Sequence, residues 1–276
     1  MKLSPLARVA LYLALAAGAL IMVAPFLYML ATALTRYAYS LPFPPRLYPA
    51  QPTVENFVTA WTSNNFARYT INSMLVAVSS VVVTVTVSAL TAYGFARFKF
   101  PAKELIFRVL LFSMMVPGMV TLIPTFLVMR DLHLLDTRLG LVVLYSSTSI
   151  AFNTFLLRSF FEGLPRELEE AILVDGGSRW TILRHVIIPL STPALATVAI
   201  FSFMGAWDEF FWALTLIQDE GKRTLPIAIR LFQGMHATNY SLVFAASLIA
   251  LVPGLLFFAF FQRYFIQGLT SGATKG

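Results

Sequence analysis

The 276-residue sequence contains no cysteine. Disulfides, thiol catalysis, thiolate metal sites and iron–sulfur clusters are therefore excluded. Charge is scarce as well. Asp, Glu, Lys and Arg make up 12% of the residues, against roughly a quarter in a soluble domain, so most of the surface does not face water. The three histidines, His133, His185 and His236, are scattered without metal-ligand spacing. No nucleophile–base pair can be assembled, which argues against an enzyme. A nucleotide site is also missing. The closest approach is Gly221-Lys222-Arg223-Thr224, which has Leu216 in place of the upstream glycine and Arg223 where a hydroxyl must hold magnesium. The two halves do not echo each other, and no matched pair of broken helices appears, which speaks against an inverted-repeat secondary transporter.

What the sequence has is apolar length. Hydrophobic residues make up 58%, the mean hydropathy is +0.76, and several runs exceed the roughly 20 residues needed to cross a bilayer. The runs are continuous and do not alternate, so a β-barrel is excluded. The strand-like Val81-Val82-Val83-Thr84-Val85-Thr86-Val87 is read as helix, because within lipid an isolated strand leaves its backbone unsatisfied. Near the N-terminus, Val9 to Thr35 is uncharged and far longer than a signal-peptide core of about 7–15 residues, so it is read as a retained span. The net charge of +7 fits basic loops beside anionic lipid rather than nucleic acid.

The expected fold is an all-α polytopic membrane protein with six transmembrane helices. They lie at about Val9–Leu34, kinked at Pro25, then Tyr69–Ala96, Arg108–Met129, Leu139–Leu157, Ile187–Ile217 and Tyr240–Gln262. Residues 1–68 hold the first span and a proline-rich outer loop, 69–267 the core with a cytoplasmic loop at 158–189, and 268–276 a tail. With the N-terminus inside, Lys2, Arg8, Arg97, Lys99, Lys103, Arg108, Arg158, Arg166, Arg179, Arg184, Arg263 and Lys275 fall on the cytoplasmic side. The other eight basic residues fall outside. Four basic residues crowd the short Arg97–Arg108 connection, so both termini are assigned to the cytoplasm.

The loop between the fourth and fifth spans carries the chemistry. Pro165 suits a first helical position. Glu167, Glu169 and Glu170 follow in the first turns, where they complement the helix dipole. Leu164, Leu168, Ala171 and Ile172 share one face. Gly176-Gly177 stops the helix, and Ser178 caps a second one. The apolar stripe is expected to lack a cover within its own chain, and therefore to dock into a groove on another protein. Its acidic polar face argues against lying on lipid, where Lys and Arg are favoured.

Glu170-Ala171-Ile172, Gly176, Val186, Ile188 and Pro189 resemble the EAA loop of ABC importer permeases in every spacing. Ile172 replaces Ala, Val186 replaces Ile and Ile188 replaces Leu. Thr91 to Phe98, Pro117-Gly118-Met119-Val120, Asp136 to Gly140, Leu157 to Phe161, Ala206 to Phe210 and Phe261 to Thr270 are similar to the second permease of maltose-type carbohydrate importers. Asp208 stands where that family is expected to carry Asn. The resemblance implies the type I ABC importer permease fold in the inner membrane. It also implies a second permease subunit, two ATPase subunits and an extracytoplasmic solute-binding protein, with ATP and magnesium held by the ATPase. Glu170, Ala171, Ile172, Asp175 and Gly176 are the implied coupling residues.

Asn153, Trp207, Asp208, Glu209 and Phe211 are candidates to line the path. Each also has a plainer reading: interhelical hydrogen bonding for Asn153, a wet outer interface for Asp208 and Glu209, and an interfacial aromatic belt for Trp207, Phe210, Phe211 and Trp212. A sugar or oligosaccharide is the expected solute, with glycerol phosphate as an alternative. A secondary transporter or channel would need buried ionisable relays, and an intramembrane hydrolase would need His and acidic clusters. Neither pattern is present.

Overall fold

The computed structural model describes residues 4–36, 38–49, 51–234 and 238–273, with side chains as far as Tyr264. His236, Lys2 and Lys275 lie outside these described residues. The chain forms two compact units, Met1–Ala67 with Ile227–Val252 and Arg68–Pro226 with Pro253–Gly276.

The first unit begins with α1 (Pro5–Ala33), which Ser4 caps by accepting the amide of Ala7. Its apolar side chains stay exposed along most of its length, as expected for a helix bathed in lipid. Pro25 sits inside it without interrupting it. A strap follows, leading to α2 (Glu55–Thr62). Buried Asn56 donates through Nδ2 to the carbonyls of Ala33 and Thr35 at 2.8 and 3.0 Å, which ties the strap to the end of α1.

The second unit holds most of α3 (Phe66–Arg97), then α4 (Lys103–Phe112), α5 (Leu122–Asp131), α6 (Arg138–Glu162), α7 (Glu167–Val174) and α8 (Arg179–Ile182). The chain runs on through a π-helical turn, Leu183–Ile187, into α9 (Ile188–Leu190), then α10 (Thr192–Trp207) and α11 (Phe211–Leu216). Last come α12 (Leu225–Leu231), most of it in the first unit, and α13 (Tyr240–Ala273), which belongs to the first unit as far as Val252 and to the second from Pro253. Among the described residues there is no named strand.

Four of these helices are long and apolar enough to cross a membrane alone: α1, α3, α6 and Tyr240–Tyr264 of α13. The bent pair Arg179–Leu190 and Thr192–Trp207, which meet at 77° around Ser191 between Pro189 and Pro193, makes a fifth such element only when its two arms are counted together. The fifth sequence-predicted span therefore ends at Trp207 rather than near Ile217. The third, expected over Arg108–Met129, is two 10-residue helices, each about 15 Å long and half a bilayer. The break follows from Pro117. A residue before proline avoids the helical region, and Val116 is extended at φ −82°, ψ 116°.

The core of this unit gathers Ala92, Tyr93 and Ala96 of α3, Leu157 and Phe161 of α6, the segment Ile182–Ile187, and Val198 of α10. Small residues on α3 let the helices approach closely, as membrane packing requires. Arg158 of α6 joins α4 by meeting Glu104 at 2.9 Å and lying 4.1 Å from the Phe107 ring.

Candidate functional site

The 25-residue helix α6 is about 37 Å long, and a polar construction stands at each end. At its C-terminal end the chain turns into an elbow. Helix α7 starts at Glu167, so Pro165 lies just ahead of it and not at its first position. The acidic first turn is present as expected. The helix stops in a Schellman arrangement: Gly177 N–H donates to the Ile172 carbonyl at 2.8 Å and Gly176 N–H to Leu173 at 3.1 Å. Gly176 takes φ +81°, a conformation open to glycine at little cost. Ser178 then caps α8 through a reciprocal box with Thr181.

The apolar face of the elbow is divided, which corrects the expectation of a stripe with no cover in its own chain. Leu164 and Ile172 pack on the core of this unit. Leu168, Ala171, Leu173, Val174 and Trp180 remain exposed, Val174 at 87% and Trp180 at 62%. Glu170, Asp175 and Gly176 are exposed too.

Glu169 was missed in the sequence. It is buried, and its carboxylate pairs with Arg97 at 2.5 Å, the two side chains being only 6% and 3% exposed. Arg179 stands 3.9 Å from the second carboxylate oxygen. The signal was available: Glu169 lies three residues before Ile172, hence on the inward face, and Arg97 is the first basic residue after a long apolar span. Beside the pair opens a pocket of about 410 Å3, rimmed by Lys99, Arg166, Arg179 and Glu170. His185, in the π-helical turn after α8, is exposed, with Nδ1 3.1 Å from the Thr181 carbonyl, in keeping with its reading as a surface residue.

At the other end of α6, Asp136 is the hub of a knot. Its Oδ1 accepts the amides of Gln218 and Asp219 at 3.0 and 2.9 Å, and its Oδ2 meets Lys222 Nζ at 2.9 Å. The Asp219 amide, Lys222 and the Gln218 amide together hold the Asp136 carboxyl below the usual range, and Asp136 with Asp219 pushes the Lys222 ammonium up. Asn72 of α3 donates to the Gly221 and Arg223 carbonyls at 3.0 and 2.8 Å.

The candidate path residues are dispersed. Asn153 is buried and donates to Ser202 Oγ at 3.2 Å, joining α6 to α10. Trp207 is buried and stacks on Phe203, centroids 5.6 Å apart. Glu209 accepts the amides of Trp212 and Ala213 at 2.9 and 3.0 Å and the Tyr145 hydroxyl at 2.9 Å, so it caps α11. Asp208 is exposed, and Phe211 is half-buried against Trp212. Nearby, a cleft of about 700 Å3 carries Thr121, Thr125, Ser147, Thr148 and Trp212 on its walls.

Comparison with known proteins gives this elbow its setting. Residues 84–271 match the family described as binding-protein-dependent transport system inner membrane component. The chain belongs to that family. A trehalose/maltose transport system permease protein of Thermococcus litoralis is 33% identical over the full length of both chains. A sulfoquinovosyl glycerol transport system permease protein of Agrobacterium fabrum is 34% identical, covering 91% of this chain and 88% of its own. A diacetylchitobiose uptake system permease protein of Streptomyces coelicolor is 33% identical, covering 92% and 85%. The fold is similar to a chain in the crystal structure of a bacterial ABC transporter involved in the import of the acidic polysaccharide alginate. The TM-score is 0.81 at 24% identity, over 96% of this chain and 99% of that one. As an inner membrane transport component, this family member has the all-α membrane architecture and the ABC importer permease fold anticipated from its sequence.

Proposed function

We propose that this chain forms half of the translocation path of an importer for a sugar or oligosaccharide, powered through its elbow by ATPase subunits that are separate chains. The observation that carries this is the division of α7 and α8: one face is pinned inward by Glu169, while Leu168, Leu173, Val174 and Trp180 stand exposed. A rigid element offering apolar side chains beyond its own core suits a groove on a partner. The rim of Lys99, Arg166 and Arg179 against Glu170 suits an acidic group from that partner.

The remaining partners in this reading are a second permease subunit and an extracytoplasmic solute-binding protein. Both termini and the elbow face the cytoplasm, which the crowding of basic residues in the Arg97–Arg108 turn supports. ATP and magnesium belong to the ATPase chains, where hydrolysis supplies the energy. On this chain the glycine–lysine turn at Gly221 has its lysine engaged by Asp136 and Asp219. The solutes for which the relatives are named, trehalose/maltose, diacetylchitobiose and sulfoquinovosyl glycerol, support a glycosidic solute. The hydroxyl-bearing cleft with Trp212 has suitable chemistry, since hydroxyls and an aromatic face match a sugar's polar edge and apolar face. Asp208, Glu209 and Phe211 are the candidate path residues with exposed or half-exposed side chains close to it in sequence.

Two measurements test this reading. Gly176→Pro or Glu170→Lys is expected to abolish transport while the chain still inserts with its partner permease; normal transport by both variants rules out the coupling role. A calorimetric screen of the cognate solute-binding protein against disaccharides, oligosaccharides and glycerol 3-phosphate is expected to yield a saccharide. Binding of glycerol phosphate alone contradicts the sugar assignment and favours the alternative.

A further inference from the structure

The last turn of α3 touches the elbow at three separate places. Arg97 Nη2 donates to the Leu164 carbonyl at 3.0 Å, ahead of α7. The same guanidinium pairs with Glu169 inside α7. One turn earlier, the buried Tyr93 hydroxyl donates to the Arg179 carbonyl at 3.1 Å, in α8. Two helices of the elbow and the segment leading into it thus converge on two residues of one transmembrane helix, Tyr93 and Arg97. Two interactions would be enough to hold an elbow in place; three that span its hinge remove its rotation against α3.

The chemistry of the central contact is telling. A buried ion pair contributes little to stability over an apolar pair of the same volume, because desolvation of both charges offsets their attraction. Its distinguishing property is resistance to separation: pulling opposite charges apart inside a buried site leaves each of them uncompensated, whereas apolar contacts slide. The neighbouring core, which includes Ala92, Ala96, Phe161, Leu164 and Ile172, is apolar, and such contacts set no single register.

We propose that Arg97 and Glu169 form a strut that locks the elbow to α3, so that displacement of the elbow is delivered to this helix as rigid motion. The proposal rests on the coupling reading above. Arg97 and Glu169 are positioning residues: they touch neither solute nor nucleotide, and they act by fixing what Leu168, Val174 and Trp180 are attached to.

The sequence has no cysteine, so a doubly labelled chain needs no prior substitution. Spin labels at Val174→Cys and Val82→Cys, both exposed positions, report the separation of the elbow from a point about 22 Å up α3. The assay is pulsed electron resonance on the complete transporter, nucleotide-free and trapped with ATP and vanadate. The strut predicts one narrow distance that is the same in both states. Arg97→Gln and Glu169→Gln should each split it into two populations on trapping. The charge reversal Arg97→Glu with Glu169→Arg should restore the single population, which also guards against variants that fail to fold. Tyr93→Phe, which removes only one hydrogen bond, should broaden it less. Gln variants that keep the parent distribution, or a parent distance that shifts on trapping, overturn the strut. The Val174 label separates this from failure of the coupling reading: if it is not immobilised when the ATPase assembles, coupling itself fails and the strut with it. Immobilisation without any dependence on Arg97 removes the strut alone.

Discussion

Gly176 permits a graded test of the elbow. Its φ of +81° lies in the left-handed region, where a side chain costs about 1–2 kcal/mol. A Cβ placed there meets nothing within 4 Å, so Gly176→Ala carries the backbone strain and no clash. That strain raises the open fraction of the elbow about 5- to 30-fold, at 1.4 kcal/mol per tenfold. Gly176→Asn costs less, because asparagine tolerates this region. Gly176→Pro costs most. Proline fixes φ near −65° and removes the N–H that bonds to the Leu173 carbonyl at 3.1 Å, a loss of about 3 kcal/mol or more and over a hundredfold in opening. Gly177→Ala makes a useful contrast, since its Cβ would fall on the Ile172 side chain and carbonyl. Hydrogen exchange of the peptide covering residues 167–182, with the complex in nanodiscs, reads opening directly. Protection should fall in the order Gly, Asn, Ala, Pro. If Gly176→Ala exchanges as fast as Gly176→Pro, or Gly176→Pro as slowly as the parent, the Schellman stop does not hold the elbow.

Three further outcomes follow from other contacts. Asp136→Asn should lower the thermal midpoint at pH 7. The Asp136 carboxyl is depressed in the folded protein, so its contribution is complete above its unfolded value of about 3.9 and is lost as pH falls through the lower folded value. The gap between parent and variant should therefore shrink towards pH 3, and a gap independent of pH contradicts the knot. Asn153→Ala and Ser202→Ala, alone and together, should show a coupling of about 0.6 kcal/mol, typical of hydrogen bonds between membrane helices; additive effects in equilibrium unfolding would remove that bond from the account. Glu209→Ala should destabilise α11 by about 1 kcal/mol as a lost cap, raising exchange at the Trp212 and Ala213 amides without abolishing assembly. Unchanged exchange there refutes the cap.

The apolar runs were legible because length in lipid overrides strand propensity: Val81 to Val87 is helical within α3, as bilayer physics requires. The elbow was legible because its punctuation is local. The acidic first turn, Gly176 and Ser178 each act within a few residues. The broken third span carries its signal in Pro117, which outweighs helical continuity across lipid. The bend at Ser191 was harder, since prolines at 189 and 193 fit a kink as well as a 77° turn. What the sequence concealed depends on long-range pairing. The inward position of Glu169 is legible locally, but its pairing with Arg97, 72 positions earlier, is not, and nothing near Asp136 shows that loop amides at Gln218 and Asp219 close on it. Glu209 reads as available for a path because the donors it caps, the Trp212 and Ala213 amides, are backbone groups that no pattern of side chains displays.

The direct test of the coupling claim is a photoactivatable cross-linker at Val174, the most exposed large apolar side chain of α7. In membranes holding the assembled transporter, illumination is expected to give an adduct with the nucleotide-hydrolysing subunit. Adducts with lipid alone, or labelling of Val174 from the extracytoplasmic side, contradict it.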